Sequence, residues 1–333
     1  MKFFLLPTVV SVLILAAILY TLGWAAFVTA ALLVVLEVTL SFDNAVVNAR
    51  VLTNMTHVWR NRFLTWGMLI AVVGTRLILP ILIVSASVLL SPLAVAKLAA
   101  FAPEEYAHLL EGARYGIYAF GGAFLLMVSL KYFLDDNKDI HWIKVIERHI
   151  SRWGRIEAIE IAIALAFLSG ISFLVPDIAQ ATVLVAGIIG IVLFILMQGL
   201  ASSFSIETDN ATAVAAQSGL ALFIYLNVLD SAFSLDSVVG AFALTTSIPI
   251  IVAGLGIGAW FVRSLTIYLV EKKTLDSLTY LEHGAHWAIF GLAISMFADL
   301  LFHVPEVITG LIGLAFVLAA YASSILSRKK IAA

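Results

Sequence analysis

Two stretches of an otherwise apolar chain carry the same polar pattern. Residues 36–47 read LEVTLSFDNAVV and residues 229–239 read LDSAFSLDSVV. Offset by 193 positions, Glu37 falls on Asp230, Ser41 on Ser234, Asp43 on Asp236 and Asn44 on Ser237. A charged side chain at bilayer depth costs about 2.5–3.5 kcal/mol on insertion scales. Each acid therefore calls for a partner, an ion or a wet cavity. A four-position match between two apolar spans is hard to reach by chance, so the pattern reads as an internal repeat.

The surroundings justify treating these runs as membrane spans. The chain has 333 residues, 62% of them apolar, with a mean hydropathy of +1.08. Soluble chains run at about 45–50% apolar. The fold class is all-α and polytopic, embedded in the plasma (inner) membrane. No cysteine is present, which excludes a disulfide framework and a thiolate metal site. The N-terminal run from Lys2 to Tyr20 has no clear cleavage site and reads as a retained span.

A helical span needs about 20 residues. About ten are predicted: 3–20, 24–49, 66–90, 115–134, 158–175, 180–201, 219–245, 249–270, 284–302 and 305–326. With the N-terminus inside, 14 of the 19 Lys and Arg fall in inside segments, two outside and three within spans. That bias places both termini in the cytoplasm. The inside segment 135–157 alternates basic and apolar residues, with Trp142, Ile143, Ile146, Ile150 and Trp153 near one helical face. It is expected to lie on anionic headgroups or, alternatively, to dock a soluble cytoplasmic partner. Glu207 and Asp209 lie in a polar inside loop and are expected to be solvated, with attraction of cations to an entrance as the alternative.

The seventh span comes five after the second, an odd offset, so the two motifs cross the membrane in opposite directions. This predicts an inverted repeat of five plus five helices, residues 1–175 and 176–333, with a site near the midplane. The following span repeats too: GMLIAVVGTR ends at Arg76 and GLGIGAWFVR at Arg263. The fourth and ninth spans are Gly-rich early and carry one late charge, Lys131 or Asp299. These three helices form each half's expected functional core.

On an ideal helix Glu37, Ser41, Asn44 and Asn48 share a face, as do Asp230, Ser234 and Ser237. Asp43 and Asp236 miss it by about 240°. A helix break near 41–44 and near 234–237 would bring them in. Intact helices, with each Asp paired to a neighbouring Arg, are the alternative. Setting aside Glu160 and Glu306 at span starts, the acids Glu37, Asp43, Asp230, Asp236 and Asp299 exceed Arg76, Arg263 and Lys131 by two. One divalent cation, or two protons, balances that excess. The seven His lie in loops or near span ends and are expected at interfaces. The remaining ligand atoms are all oxygen, which favours hard cations such as Mn²⁺, Ca²⁺ or Mg²⁺.

These motifs resemble those of the TerC/Alx family, within the wider LysE-like transporter superfamily. Glu37-x5-Asp43-Asn44 and Asp230-x-x-Phe233-Ser234-x-Asp236-Ser237 carry the resemblance, with an Arg-bearing helix after each. It covers roughly residues 30–135 and 220–305, and this chain is longer than compact members. The resemblance implies export of a metal cation, Mn²⁺ first and Ca²⁺ second, and a link in some members to tellurite resistance. The expected ion ligands are Glu37, Ser41, Asp43, Asn44, Asp230, Ser234, Asp236 and Ser237, with Arg76, Arg263, Lys131 and Asp299 as charge partners. Two functions follow: a proton-coupled exporter, or a membrane scaffold of a tellurite-resistance complex holding a structural ion. Neither is an enzyme. No nucleotide-binding motif, organic cofactor or nucleic-acid partner is expected.

Overall fold

A computed structural model describes residues 2–67, 69–135, 138, 140–156, 158–203, 211–272 and 278–332. Glu207 and Asp209 lie outside these described residues. Every regular element among them is a helix. The first half holds α1 (Lys2–Leu40), α2 (Phe42–Thr53) and α3 (His57–Arg62). It continues with α4 (Leu79–Val88), α5 (Pro92–Phe101), α6 (Pro103–Gly112), α7 (Arg114–Phe133), α8 (Lys144–Ser151) and α9 (Ile159–Ser172). The second holds α10 (Asp177–Ser203), α11 (Ala211–Leu244), α12 (Ile248–Glu271), α13 (Leu281–Asp299) and α14 (Glu306–Ala332).

Among the described residues, six helices are long and apolar enough to cross a membrane. Their burial is graded. The α7 span is 78% buried, whereas those of α10 and α14 are 33% and 28% buried and turn Ile, Leu and Val outward. A soluble protein rarely exposes apolar patches on that scale. This is the surface of a membrane-embedded protein. The spans expected at 66–90, 158–175 and 284–302 correspond to shorter, interrupted or more polar helices.

The first long helix is two helices. Gly23 has φ +86°, a conformation open to glycine and strained for other residues. Phe3 and Phe4 pack on Tyr268 near the end of α12, while Ile18 joins Ile250 and Ile251 at its start. Leu33 and Glu37 then lie against Gly254 and Gly258. A straight helix would separate residues 4 and 33 by about 43 Å, yet positions 254 and 268 are only about 21 Å apart. The chain therefore runs along α12, turns at Gly23 and returns.

Two helices of the motif region are also interrupted. The helix is interrupted at the single residue Ser41, between α1 and α2, but the bonds from Ser41 N to the Glu37 carbonyl and from Ala45 N to the Ser41 carbonyl persist, so it is not unwound and Asp43 is not carried onto the face of Glu37. Downstream, residues 63–67 and 70–78 wind as π-helix just before Pro80. Proline has no N–H for the carbonyl of residue 76 and crowds it, and a wider π turn relieves that conflict. Arg76 sits in this widened turn. The second expected break, at 234–237, is absent. α11 is continuous α-helix through it.

Of the segment 135–157, the described residues 140–156 are fastened to the bundle. Glu147 of α8 is 1% exposed. Its carboxylate accepts from Trp287 Nε1 at 2.9 Å, Lys138 Nζ at 3.3 Å and the amides of Trp142 and Ile143 at 3.1 and 3.4 Å. Nδ1 of His283 lies 2.9 Å away. Burial alone would raise this carboxyl, but the bonds from His283 and Trp287 and the charge of Lys138 hold it at about 2. His283 and His286 of α13 are buried, and His286 stacks on Tyr132 at 3.6 Å. The expectation of interfacial side chains fails for these two, because α13 continues beneath the docked segment.

Candidate functional site

The two motifs meet at one cavity. Ser41, Asn44 and Asn48 from the first and Asp230 and Ser234 from the second line it, together with Arg76 and Arg263. The helical-face argument predicts Ser41, Asn44, Asn48, Asp230 and Ser234 of this set, while Glu37 and Ser237, expected on the same faces, do not line the cavity. Steps of four, three and four turn residues 37–48 in one direction, and α11 presents 230 and 234 opposite. Close approach to α12 depends on Gly258, where a Cβ would fall 2.5 Å from Glu37 Cγ. The cavity leaves about 50 Å³ for water-sized occupants. A water needs about 10–15 Å³ by that measure, so a few waters or one partly hydrated ion fit.

Glu37 is completely buried and forms an ion pair with Arg76 through Oε1. Ser41 Oγ donates to the same oxygen at 2.9 Å, while Oε2 accepts no hydrogen bond. Asp230 is held differently. Asn48 Nδ2 donates to its Oδ1 at 2.7 Å, and the Asn44 amide hydrogen-bonds it too. Both amide nitrogens thus face Asp230, and the amide oxygens of Asn44 and Asn48 accept nothing. Buried acceptors are nearly always satisfied. Two orphaned oxygens on residues that line one small cavity mark this place as one where a donor or a cation would be held.

The second arginine departs from the expected pattern. Arg263 Nε donates to the carbonyl of Leu64, in the first half's π-helical turn. Among the described residues it forms no ion pair. The second half's ion pair is missing because Asp230 takes amide donors and α12 aims its arginine across at residue 64.

The four repeat acids are not gathered into one cluster. Among the described residues no three His, Asp or Glu side chains come close enough to share a metal ion. Asp43 is buried in the first turn of α2 and accepts the Asn44 amide at 2.9 Å. Asp236 and Ser237 are buried on α11, and Ser237 Oγ donates to the Ser234 carbonyl at 3.1 Å. None of these three lines the cavity. With α11 unbroken, the angular offset of six residues keeps Asp236 off the cavity face. Lys131 and Asp299 stand apart as well. Lys131 pairs with Glu160 at 3.2 Å, and Asp299 accepts the Val304 amide at 3.2 Å.

Sequence reasoning missed Leu64, Phe63, Val262 and Thr266 of the cavity lining. Thr266, three residues beyond Arg263, was within reach of the same helical-face argument. Leu64 carried no signal, because its contribution is a backbone carbonyl. It also missed Glu147, whose signal was available: it is the acid between Ile143 and Ile150 on one helical face.

A family model described as a protein of unknown function, DUF475, matches residues 42–331, and the chain belongs to that family. No curated protein and no solved structure matches it significantly.

Proposed function

We propose that this DUF475 chain is a secondary transporter exporting a divalent cation, Mn²⁺ ahead of Ca²⁺, in exchange for protons. The observation that carries the reading is the orphaned pair of amide oxygens, Asn44 Oδ1 and Asn48 Oδ1, in a cavity that also holds Asp230 and two serines. These are hard oxygen ligands, fewer than the six to eight that Ca²⁺ takes from protein and water. In this arrangement the cation keeps several waters. Asp43 and Asp236 join when the two halves rock, and protons compete with metal for the crowded carboxylates. The resemblance of both motifs to the TerC/Alx family supports the same reading.

Cross-packing supports the inverted repeat. Residues 24–40 pack on α12, residues 70–78 pack on α11, and α7 packs on α13. Each motif helix thus meets the other half's arginine helix, as a two-fold in the membrane plane would arrange them. The ten spans, cytoplasmic termini and inner-membrane location belong to this proposal, resting on the basic inside segments.

The test is flux in proteoliposomes across a panel of divalent ions, with metal binding measured alongside. Transport of Mn²⁺ coupled to opposite proton movement, lost in Asp230→Asn, is expected. Binding without flux would favour the scaffold reading, and absence of both would reject the site.

A further inference from the structure

We propose that the basic segment 144–155 and the helices beneath it form a binding site for one anionic phospholipid. Its acyl chain would occupy a cavity of about 240 Å³ whose lining is wholly apolar. Leu130 and Phe133 of α7 form the floor, Phe167 of α9 and Ile294 of α13 the walls, and Ile150 and Trp153 the lid. Apolar cavities of about 150 Å³ stay dry and take up apolar molecules. The occupant is therefore hydrocarbon rather than water or an ion.

The lid supplies the other half of the recognition. Lys144, Arg148, Arg152 and Arg155 are all exposed. Among the described residues none of them forms an ion pair. The one acid within 144–155 is Glu147, which is buried and turned into the bundle, so it leaves the outer charge uncompensated. Trp153 is 58% exposed at the rim, the position an aromatic takes at the headgroup level of a membrane. Four cations above a dry hydrocarbon slot match a molecule with a negative head and an apolar tail. An acidic soluble peptide would satisfy the charge and leave the slot empty.

The Glu147 bonds make the site. Trp287, whose ring lines the cavity, donates to Glu147, so one contact fixes both the lid and a wall. Basic pockets between membrane helices are known to hold anionic headgroups. The inference needs a membrane-embedded chain but no transport activity, so it stands or falls separately from the cation reading.

The experiment uses the full chain in detergent, with phosphatidylglycerol or phosphatidylcholine of identical acyl chains. Retention is read by native mass spectrometry and by the shift in thermal unfolding. Wild type should retain phosphatidylglycerol, lose phosphatidylcholine and unfold later with the former. The Arg148→Gln/Arg152→Gln/Arg155→Gln variant changes only exposed residues. It should lose the preference by about fivefold per arginine. Ile294→Trp fills the cavity and should abolish retention of both lipids. Equal retention of the two lipids by wild type would overturn the proposal. So would an intact preference in the triple arginine variant. Binding of a chain-free glycerophosphoglycerol as tight as the lipid would overturn it in favour of a soluble anionic partner.

Discussion

Glu37 and Glu147 are both carboxylates sealed from solvent, at 0% and 1% exposure, and their surroundings differ in kind. Glu147 faces donors from three side chains and two backbone amides, shared over both oxygens. Glu37 concentrates Arg76 and Ser41 on one oxygen and leaves the other without a donor. A buried acceptor left unsatisfied costs about 1–3 kcal/mol, more when charged. Glu147 is what a fastening looks like: every lone pair that can be used is used. Glu37 holds acceptor capacity in reserve, joined through Arg76 and Ser41 to residues that line the cavity.

The comparison breaks first at Arg76. Removing one partner of a buried ion pair costs about 3–5 kcal/mol, so Arg76→Ala should show the largest loss in denaturant unfolding. Glu37→Gln combined with Arg76→Gln should recover most of that stability without recovering flux. Unchanged unfolding in Arg76→Ala would remove the contrast altogether. Glu147→Gln comes next, at about 3 kcal/mol, because an amide would face donors with its own N–H groups. Metal binding per folded molecule should survive that change, and its loss would make Glu147 part of the site.

Acid sharpens the same point. The folded pKa of Glu147, about 2, lies below its ordinary 4.5. Its stabilisation is therefore complete above pH 4.5 and is lost as pH falls from there towards about 2. Loosening of residues 140–156, read by proteolysis, should increase across that window in the wild type, and this pH dependence should disappear in Glu147→Gln. Arg263→Ala should cost less than Arg76→Ala, about 1.5–3 kcal/mol for one charged hydrogen bond to Leu64. Equal losses would mean that the two halves are energetically alike after all. Ser41→Ala should be smallest, at about 0.5–1.5 kcal/mol, with weakened rather than abolished metal binding.

Much of the architecture was legible because it rests on periodicity. Glu37, Ser41, Asn44 and Asn48 share a face by arithmetic alone. Gly23 falls between the first two expected spans. Side-chain partners were less legible. Nothing in residues 229–239 tells whether Asp230 will take an arginine or two asparagines, since that depends on where the other half places Asn48. The intact α11 shows the limit of repeat reasoning. Two copies can share a polar pattern while only one carries the break. Arg263 reaches a backbone carbonyl, and every residue type offers one, so no spacing rule points to Leu64.

The Glu37–Arg76 pair also orders events during synthesis. Its two members are 39 positions apart and both lie in the first quarter of the chain. The carboxylate most costly to place in lipid finds its counter-charge before α7 is made. Asp230 emerges far later, and its donors Asn44 and Asn48 are by then already in place. The first half to be synthesised thus contains both the acid and its counter-charge, together with the two asparagines that Asp230 later meets.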